Sequence, residues 1–157
     1  MDLEELDRRG RRLEDLDAIR QSKARYALAC DANYDADALA AMFTEDAIWD
    51  GGAIGRSEGR EAIRQFFQGS SRRISFAVHN ILGPVIDIDG DTATGTWYLL
   101  QTCTYVDGNR AGWGAATYHD EYVREGDGWK FRKVQLDSHF WTPYEDGWSR
   151  TPFIQRG

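Results

Sequence analysis

Apolar positions in the first part of the chain recur at helical spacing. From Leu13 they run Leu13, Leu16, Ile19, Tyr26 and Cys30, with Ala24, Ala27 and Leu28 beside them, which predicts a helix burying a broad face and ending near Asn33. "DADALAAMFTEDAIW" reads as a second, short helix over about 37–43, then a turn and a strand around 47–50. "GREAIRQFFQG" predicts a third helix from Gly59 to Gly69. After Arg73 the period changes to two. Turn signals at Gly83-Pro84, "DIDGD", "DGN" and "EGDG" divide this stretch into four long strands, over 74–82 with a continuation to 88, then 92–106, 113–125 and 128–141. Helices first and a strand meander afterwards indicate an α+β fold, with a curved, mostly antiparallel sheet wrapping the helices.

Two features depart from a simple amphipathic plan. In "GTWYLLQTCTYV" both faces are apolar, Trp97 and Leu99 on one and Tyr98 and Leu100 on the other, so the sheet needs cover on both sides. One side would face the helices and a pocket; the other suits a neighbouring subunit, which points to a homo-oligomer, a trimer ahead of a dimer. The second feature is Asp31, which stands at the end of the stripe Ala24, Ala27, Leu28. A carboxylate buried without a partner costs several kcal/mol.

At 157 residues the chain fits one domain over 1–157, burying roughly two thirds of the surface that its unfolded form exposes. The 13% aromatic content, with six Trp, exceeds what filling a small core needs and suits an aromatic-lined cavity. With 19 Lys and Arg against 26 Asp and Glu, the net charge of -7 repels phosphate backbones and argues against a nucleic-acid partner. The N-terminus "MDLEELDRRGRRLEDLD" is charged where a secretory leader would be apolar, and no apolar run approaches the ~20 residues of a membrane span. The expected compartment is the cytoplasm, with no membrane partner. Cys30 and Cys103 lack metal-ligand or redox spacing and read as buried thiols. The segment 142–157 reads as a C-terminal tail that closes the pocket mouth, crosses to another subunit, or packs on its own sheet edge.

The natural partner for Asp31 is a histidine, and His79 lies 48 positions downstream, 79 minus 31, on a strand where Ser75, Ala77, His79 and Ile81 share one face. Small neighbours leave room before the imidazole. Tyr26, five positions before Asp31, would flank the same mouth. Each has a plainer reading: Asp31 as a helix-terminal turn residue, His79 as a structural histidine, Tyr26 as a core aromatic.

The segments "SKARYALACD", "DALAAMFTEDAIWDG", "GREAI", "VHNIL", "DGDTATGTWYL" and "DEYVREGDGWKF" together resemble the SnoaL-like branch of the nuclear transport factor 2-like superfamily over roughly residues 12–142. The order Tyr26, Asp31, His79 most resembles bile acid 7α-dehydratase and, more distantly, scytalone dehydratase. Hexachlorocyclohexane dehydrochlorinase places the same Asp and His alike but has a lysine at Tyr26. The resemblance implies a cone-shaped α+β barrel enclosing a pocket onto which Tyr26, Asp31 and His79 converge. Where the bile acid enzyme has an acid and an arginine this chain has Gln101 and Ser138, and the dehydrochlorinase's last-strand arginine falls at Val134. A ketosteroid-isomerase alignment puts Asp50 near the proton-shuttling acid and His119 at the oxyanion-hole acid, which would point His119 into the pocket.

The expected function is a cofactor-independent dehydratase acting on a hydrophobic cyclic hydroxy-ketone, steroid- or polyketide-like. His79 would be the general base, Asp31 its orienting acid, and Tyr26 the hydrogen-bond donor to the substrate oxygen. Trp49, Phe67, Trp97 and Phe140 would line the substrate, with Gln101, His119 and Ser138 as polar contacts. No metal is expected, since no His-x-x-x-His pair or phosphate-cradling Gly loop occurs; a His79, His119, Asp31 ligand set is the metal-binding alternative. A polyketide cyclase, a ketosteroid-type isomerase and a non-catalytic binding or accessory domain are the other readings.

Overall fold

The computed structural model describes residues 1–154. Helix α1 spans Leu3–Asp31, its N-terminus capped by the Asp2 carboxylate, which accepts from Glu5 N at 2.8 Å. It begins ten residues before the expected Leu13. The added turns are held by pairs at i,i+4, Glu5 with Arg9 (3.2 Å) and Asp7 with Arg11 (2.8 Å), and leave Leu3, Leu6 and Leu13 in solvent. The buried face is Ile19, Lys23, Tyr26 and Cys30. The stripe of Ala24, Ala27 and Leu28 instead forms a rim, with Leu28 68% exposed, so Asp31 does not interrupt the core face.

The chain then turns sharply. Asn33 and Tyr34 both adopt left-handed backbone (φ 55 and 53), held by Tyr34 N to Cys30 O (3.0 Å) and Asp35 N to Ala29 O (2.9 Å). For a residue as bulky as tyrosine this conformation costs on the order of 1–3 kcal/mol. Helix α2 (Ala36–Ala41) follows, then β1 (Phe43–Asp50), a one-turn 3-10 segment, β2 (Arg56–Glu58) and α3 (Arg60–Arg73). β2 was not expected. α3 runs a turn past Gly69, where Ser70 Oγ donates to Phe66 O and Arg72 and Arg73 occupy the favourable carboxyl end. The long strands are β3 (Ile74–Asp89), β4 (Thr92–Tyr105), β5 (Arg110–Glu125) and β6 (Gly128–Pro143).

These strands form one mixed, curved sheet in the order β2-β1-β6-β5-β4-β3, antiparallel except where β1 runs parallel to β6. β2 and β3 are free edges. The expected barrel is therefore an open cone, the sheet curling round the helices without closing. Irregularities between Leu82 and Val85, and opposite Ala115–Ala116 and Glu121–Tyr122, supply the curl. The helices fill the concave face; the convex face leaves Phe76, Leu82, Val85 and Tyr98 exposed. Among the described residues no helix is long and apolar enough to cross a membrane.

Tyr26 lies at the centre, meeting Phe43, Phe67, Tyr118 and Phe131 edge-on. Beside it is a fully buried ion pair, Lys23 Nζ to Asp120 Oδ2 at 2.8 Å, the ammonium 3.4 Å from the Tyr118 ring centroid. Tyr122 donates to the same carboxylate (2.9 Å) and Trp97 Nε1 donates to Tyr122 (3.2 Å). Burial pushes the Asp120 carboxyl up and the Lys23 ammonium down, each opposed by the other's charge. At the wide rim Asp15 accepts two guanidinium bonds from Arg124 and one from Trp129 Nε1, all 2.9 Å, tying α1 to β5 and β6.

The described part of the tail lies against its own sheet. Strand β6 continues through Pro143, past the expected boundary at 142, and the chain folds back so that Trp141 N donates to Pro152 O (2.8 Å) and Ile154 N to Trp141 O (2.7 Å). It thus packs on its own sheet; its last three residues, 155–157, lie outside the described residues.

Lys23→Met is expected to destabilise the fold by about 3–5 kcal/mol, because Asp120 is left buried without its counter-charge; adding Asp120→Leu should restore much of this. Urea denaturation of the single and double variants checks both. The Arg124 guanidinium, first among its partners, holds the Asp15 carboxyl below its ordinary value of 3.8 against the opposing effect of burial. Its contribution is therefore complete above pH 3.8 and is lost as the pH falls through the lower folded value. Asp15→Asn should lower stability at pH 7 by about 2 kcal/mol and flatten the acid limb of a Tm-against-pH curve.

Candidate active site

Strand β3 is an edge, so main-chain N–H groups on its outer side have no strand to receive them. The end of α1 crosses there. Asp31, its last residue, directs Oδ1 at His79 and accepts two bonds from it, the main-chain N–H at 2.9 Å and Nδ1–H at 2.7 Å. A carboxylate only accepts, so Nδ1 carries a proton, and in the neutral imidazole Nε2 carries the lone pair. The imidazole is 5% exposed and the carboxylate 27%, so the ring is buried while Asp31 reaches the surface.

Gln101 stands directly across from His79 on β4, on the same concave face. Its Nε2 donates to the Tyr34 hydroxyl at 3.4 Å. The Tyr34 ring meets the imidazole edge-on (centroids 5.8 Å, 84°) and stacks on Phe67 (6.2 Å, 15°). Burial pushes the Tyr34 phenol well above its ordinary value of 10.0, so it stays protonated. Trp49, behind Phe67, donates from Nε1 to the Tyr26 hydroxyl at 3.0 Å.

The structure thus brings together Asp31, His79, Gln101 and Phe67 of the expected residues. Tyr26 is 1% exposed, enclosed by aromatic rings and engaged by Trp49; it is part of the core, with Trp49 between two aromatic layers. Trp97 faces inward, but two inward positions along β4 from Gln101, with its indole bound to Tyr122.

Two expectations are corrected. His119 points outward, its side chain 50% exposed and Nε2 3.1 Å from Asp137, because alternation along β5 turns Tyr118, Asp120 and Tyr122 inward. The His79, His119, Asp31 ligand set is therefore split across the sheet, and among the described residues no group of three or more His, Cys, Asp or Glu is placed to hold a metal ion. Phe140 also faces outward, against Trp113 and Trp148. The extra residue His139, bulged between Ser138 and Phe140, reverses the alternation, so Ser138 stays on the concave side and Trp141 joins it, donating from Nε1 to Ser138 Oγ at 2.8 Å.

Three residues escaped the sequence reading. Lys23 had a legible signal, since it lies on the face of Ile19, Tyr26 and Cys30 at i+4, i−3 and i−7. Asp120 had one too, alternating with Tyr118 and Tyr122 as an inward acid. Tyr34 had none, because its position depends on a left-handed turn that nothing in "DANYD" demands.

The comparisons with known proteins agree with this architecture. A candidate aromatic ring hydroxylase from Novosphingobium aromaticivorans superposes with a TM-score of 0.78 at 30% identity, over 85% of this chain and 96% of that one. A type 2 hexachlorocyclohexane dehydrochlorinase, LinA, gives 0.79 at 25% identity over 84% and 90%. A candidate scytalone dehydratase from the same Novosphingobium species shares the fold, with 0.78 at 23% identity over 93% and 97%. None of the curated proteins matches the sequence. The sequence pattern of the SnoaL-like domain matches residues 11–135, four fifths of the chain counted as 125 of 157, and by that match the protein belongs to the SnoaL-like domain family.

Proposed function

We propose that this protein is a lyase, a cofactor-independent dehydratase that removes water from a hydrophobic, cyclic hydroxy-ketone of steroid- or polyketide-like shape. The observation that carries the reading is the double acceptance by Asp31 Oδ1, which fixes both the position of His79 and the nitrogen left free to take a proton. His79 Nε2 acts as general base at a carbon beside the carbonyl, a role typically worth 10²- to 10⁴-fold in rate. Asp31 orients the ring and stabilises the imidazolium that forms. Likeness to a dehydrochlorinase at 25% identity supports elimination as the reaction class. Phe67 favours a flat, apolar substrate, and Gln101 supplies a polar contact suited to an oxygenated one.

The protein is proposed to act as a homo-oligomer, a trimer by preference. Phe76, Leu82, Val85 and Tyr98 on the convex face supply the apolar surface for a second copy.

A panel of steroid- and polyketide-like hydroxy-ketones, followed by mass spectrometry for loss of water, tests the reaction. His79→Ala should lower kcat by at least 10²-fold with little change in Tm, and Asp31→Asn should come close to the same loss. A His79→Ala variant with wild-type turnover sinks the proposal; a product that keeps its oxygen and moves a double bond assigns isomerisation instead. Light scattering should give a mass near three times the 17.9 kDa of one chain, and a single-chain mass refutes self-association.

A further inference from the structure

We propose that Tyr34 is the oxygen-binding residue of this site: its hydroxyl donates to the carbonyl oxygen of the bound ligand while His79 takes the neighbouring proton, and Gln101 aims the phenol. The inference deepens the dehydratase reading and rests on it for the role of His79.

Position is the first argument. The turn that ends α1 immediately after Asp31 is the same turn that carries Tyr34, so one short segment, 31–34, delivers both the acid and the phenol to the imidazole. Tyr34 reaches that place only through a left-handed backbone (φ 53), a conformation that glycine or asparagine would adopt with less strain. Such strain is retained where the surrounding structure over-determines it. Here two main-chain bonds, the stack on Phe67 and the edge contact with His79 do so.

The hydrogen-bond inventory is the second. The phenol oxygen accepts from Gln101 Nε2, and among the described residues no acceptor receives its own proton. His79 Nε2 likewise makes no hydrogen bond among the described residues, since Asp31 takes Nδ1. One free donor and one free acceptor therefore stand side by side, their rings 5.8 Å apart between centroids, which suits a group bearing an oxygen next to an acidic C–H. The other tyrosine near the start of the chain does not offer this, because Tyr26 is sealed by aromatic rings and already holds the Trp49 indole proton.

The step balances without an external reagent. His79 Nε2 takes the proton from the carbon beside the carbonyl, the C–H electron pair forms a C=C bond, and the carbonyl pair moves to oxygen as an enolate that accepts the Tyr34 hydrogen bond. The carbonyl then re-forms as the bond from the β-carbon to hydroxyl breaks. The imidazolium returns its proton to the departing hydroxide, which leaves as water. Tyr34 keeps its proton throughout, as burial of its phenol favours.

The test uses 2-naphthol, a flat phenol whose oxygen imitates the enolate, and needs no turnover. Binding to the intact protein is measured by fluorescence at pH 7. Tyr34→Phe should weaken Kd tenfold or more, Tyr26→Phe should lose less than Tyr34→Phe, and Tyr144→Phe in the exposed tail should bind as the wild type does. Gln101→Leu should weaken binding about threefold, and it decides the matter if Tyr34→Phe does not fold. Unchanged binding in Tyr34→Phe or Gln101→Leu, a larger loss in Tyr26→Phe, or no wild-type binding at 1 mM naphthol each overturns the inference. Failure of the dehydratase reading looks different: hydroxy-ketones are left unreacted while naphthol binding still depends on Tyr34.

Discussion

A single carboxylate oxygen accepts two hydrogen bonds from one residue, and the arrangement of the site depends on it. Asp31 Oδ1 takes the main-chain N–H of His79 and its Nδ1–H. The first bond satisfies an edge-strand donor that would otherwise face water, and it fixes the end of α1 against β3. The second selects the tautomer. An acceptor at that place links the helix, the sheet edge and the reactive nitrogen in one contact, so α1 must end where it does and the chain must turn at once.

The concave face holds polar groups at two places that differ in kind. Around Tyr122, the members Lys23, Asp120 and Trp97 engage one another, and the charges are offset locally inside an aromatic shell. A network of that sort fixes how the helix sits in the cone. Around His79, by contrast, Asp31 takes Nδ1 and Gln101 donates to the Tyr34 phenol, while His79 Nε2 and the Tyr34 hydroxyl proton have no partner among the described residues. The first place is a charge-paired cluster sealed by rings, although Asp120 Oδ1 has no hydrogen-bond partner among the described residues; the second leaves the imidazole Nε2 without one.

How legible this was varied residue by residue. The pairing of Asp31 with His79 could be anticipated, because an acid beside an apolar stripe demands a partner and the chain holds only three His. The cause is different from an interrupted core stripe, since Leu28 and Ala24 lie at the rim and Asp31 accepts from an edge strand. The ketosteroid-isomerase likeness points His119 inward, whereas its β5 neighbours Tyr118 and Asp120 take that face; Phe140 lies outward for a different reason. Alternation fixes which residues share a face but not which face is inside, and a bulge at His139 reverses the phase midway. Tyr34 was invisible because left-handed backbone at a tyrosine opposes local preference and is imposed by its surroundings.

Residue spacing and composition carry the order of the three helices and four long strands, the change from helical to alternating period after Arg73, the family, and the scarcity of histidine that singles out His79. Those are properties of local spacing and composition, which need no knowledge of distant contacts. Long-range packing sets the rest: the cone stays open, Lys23 and Asp120 pair within it, and Tyr34 and Gln101 flank the imidazole. Each of those depends on strand register, on bulge phase or on a strained turn, and such features are settled by the packing of segments far apart in the chain.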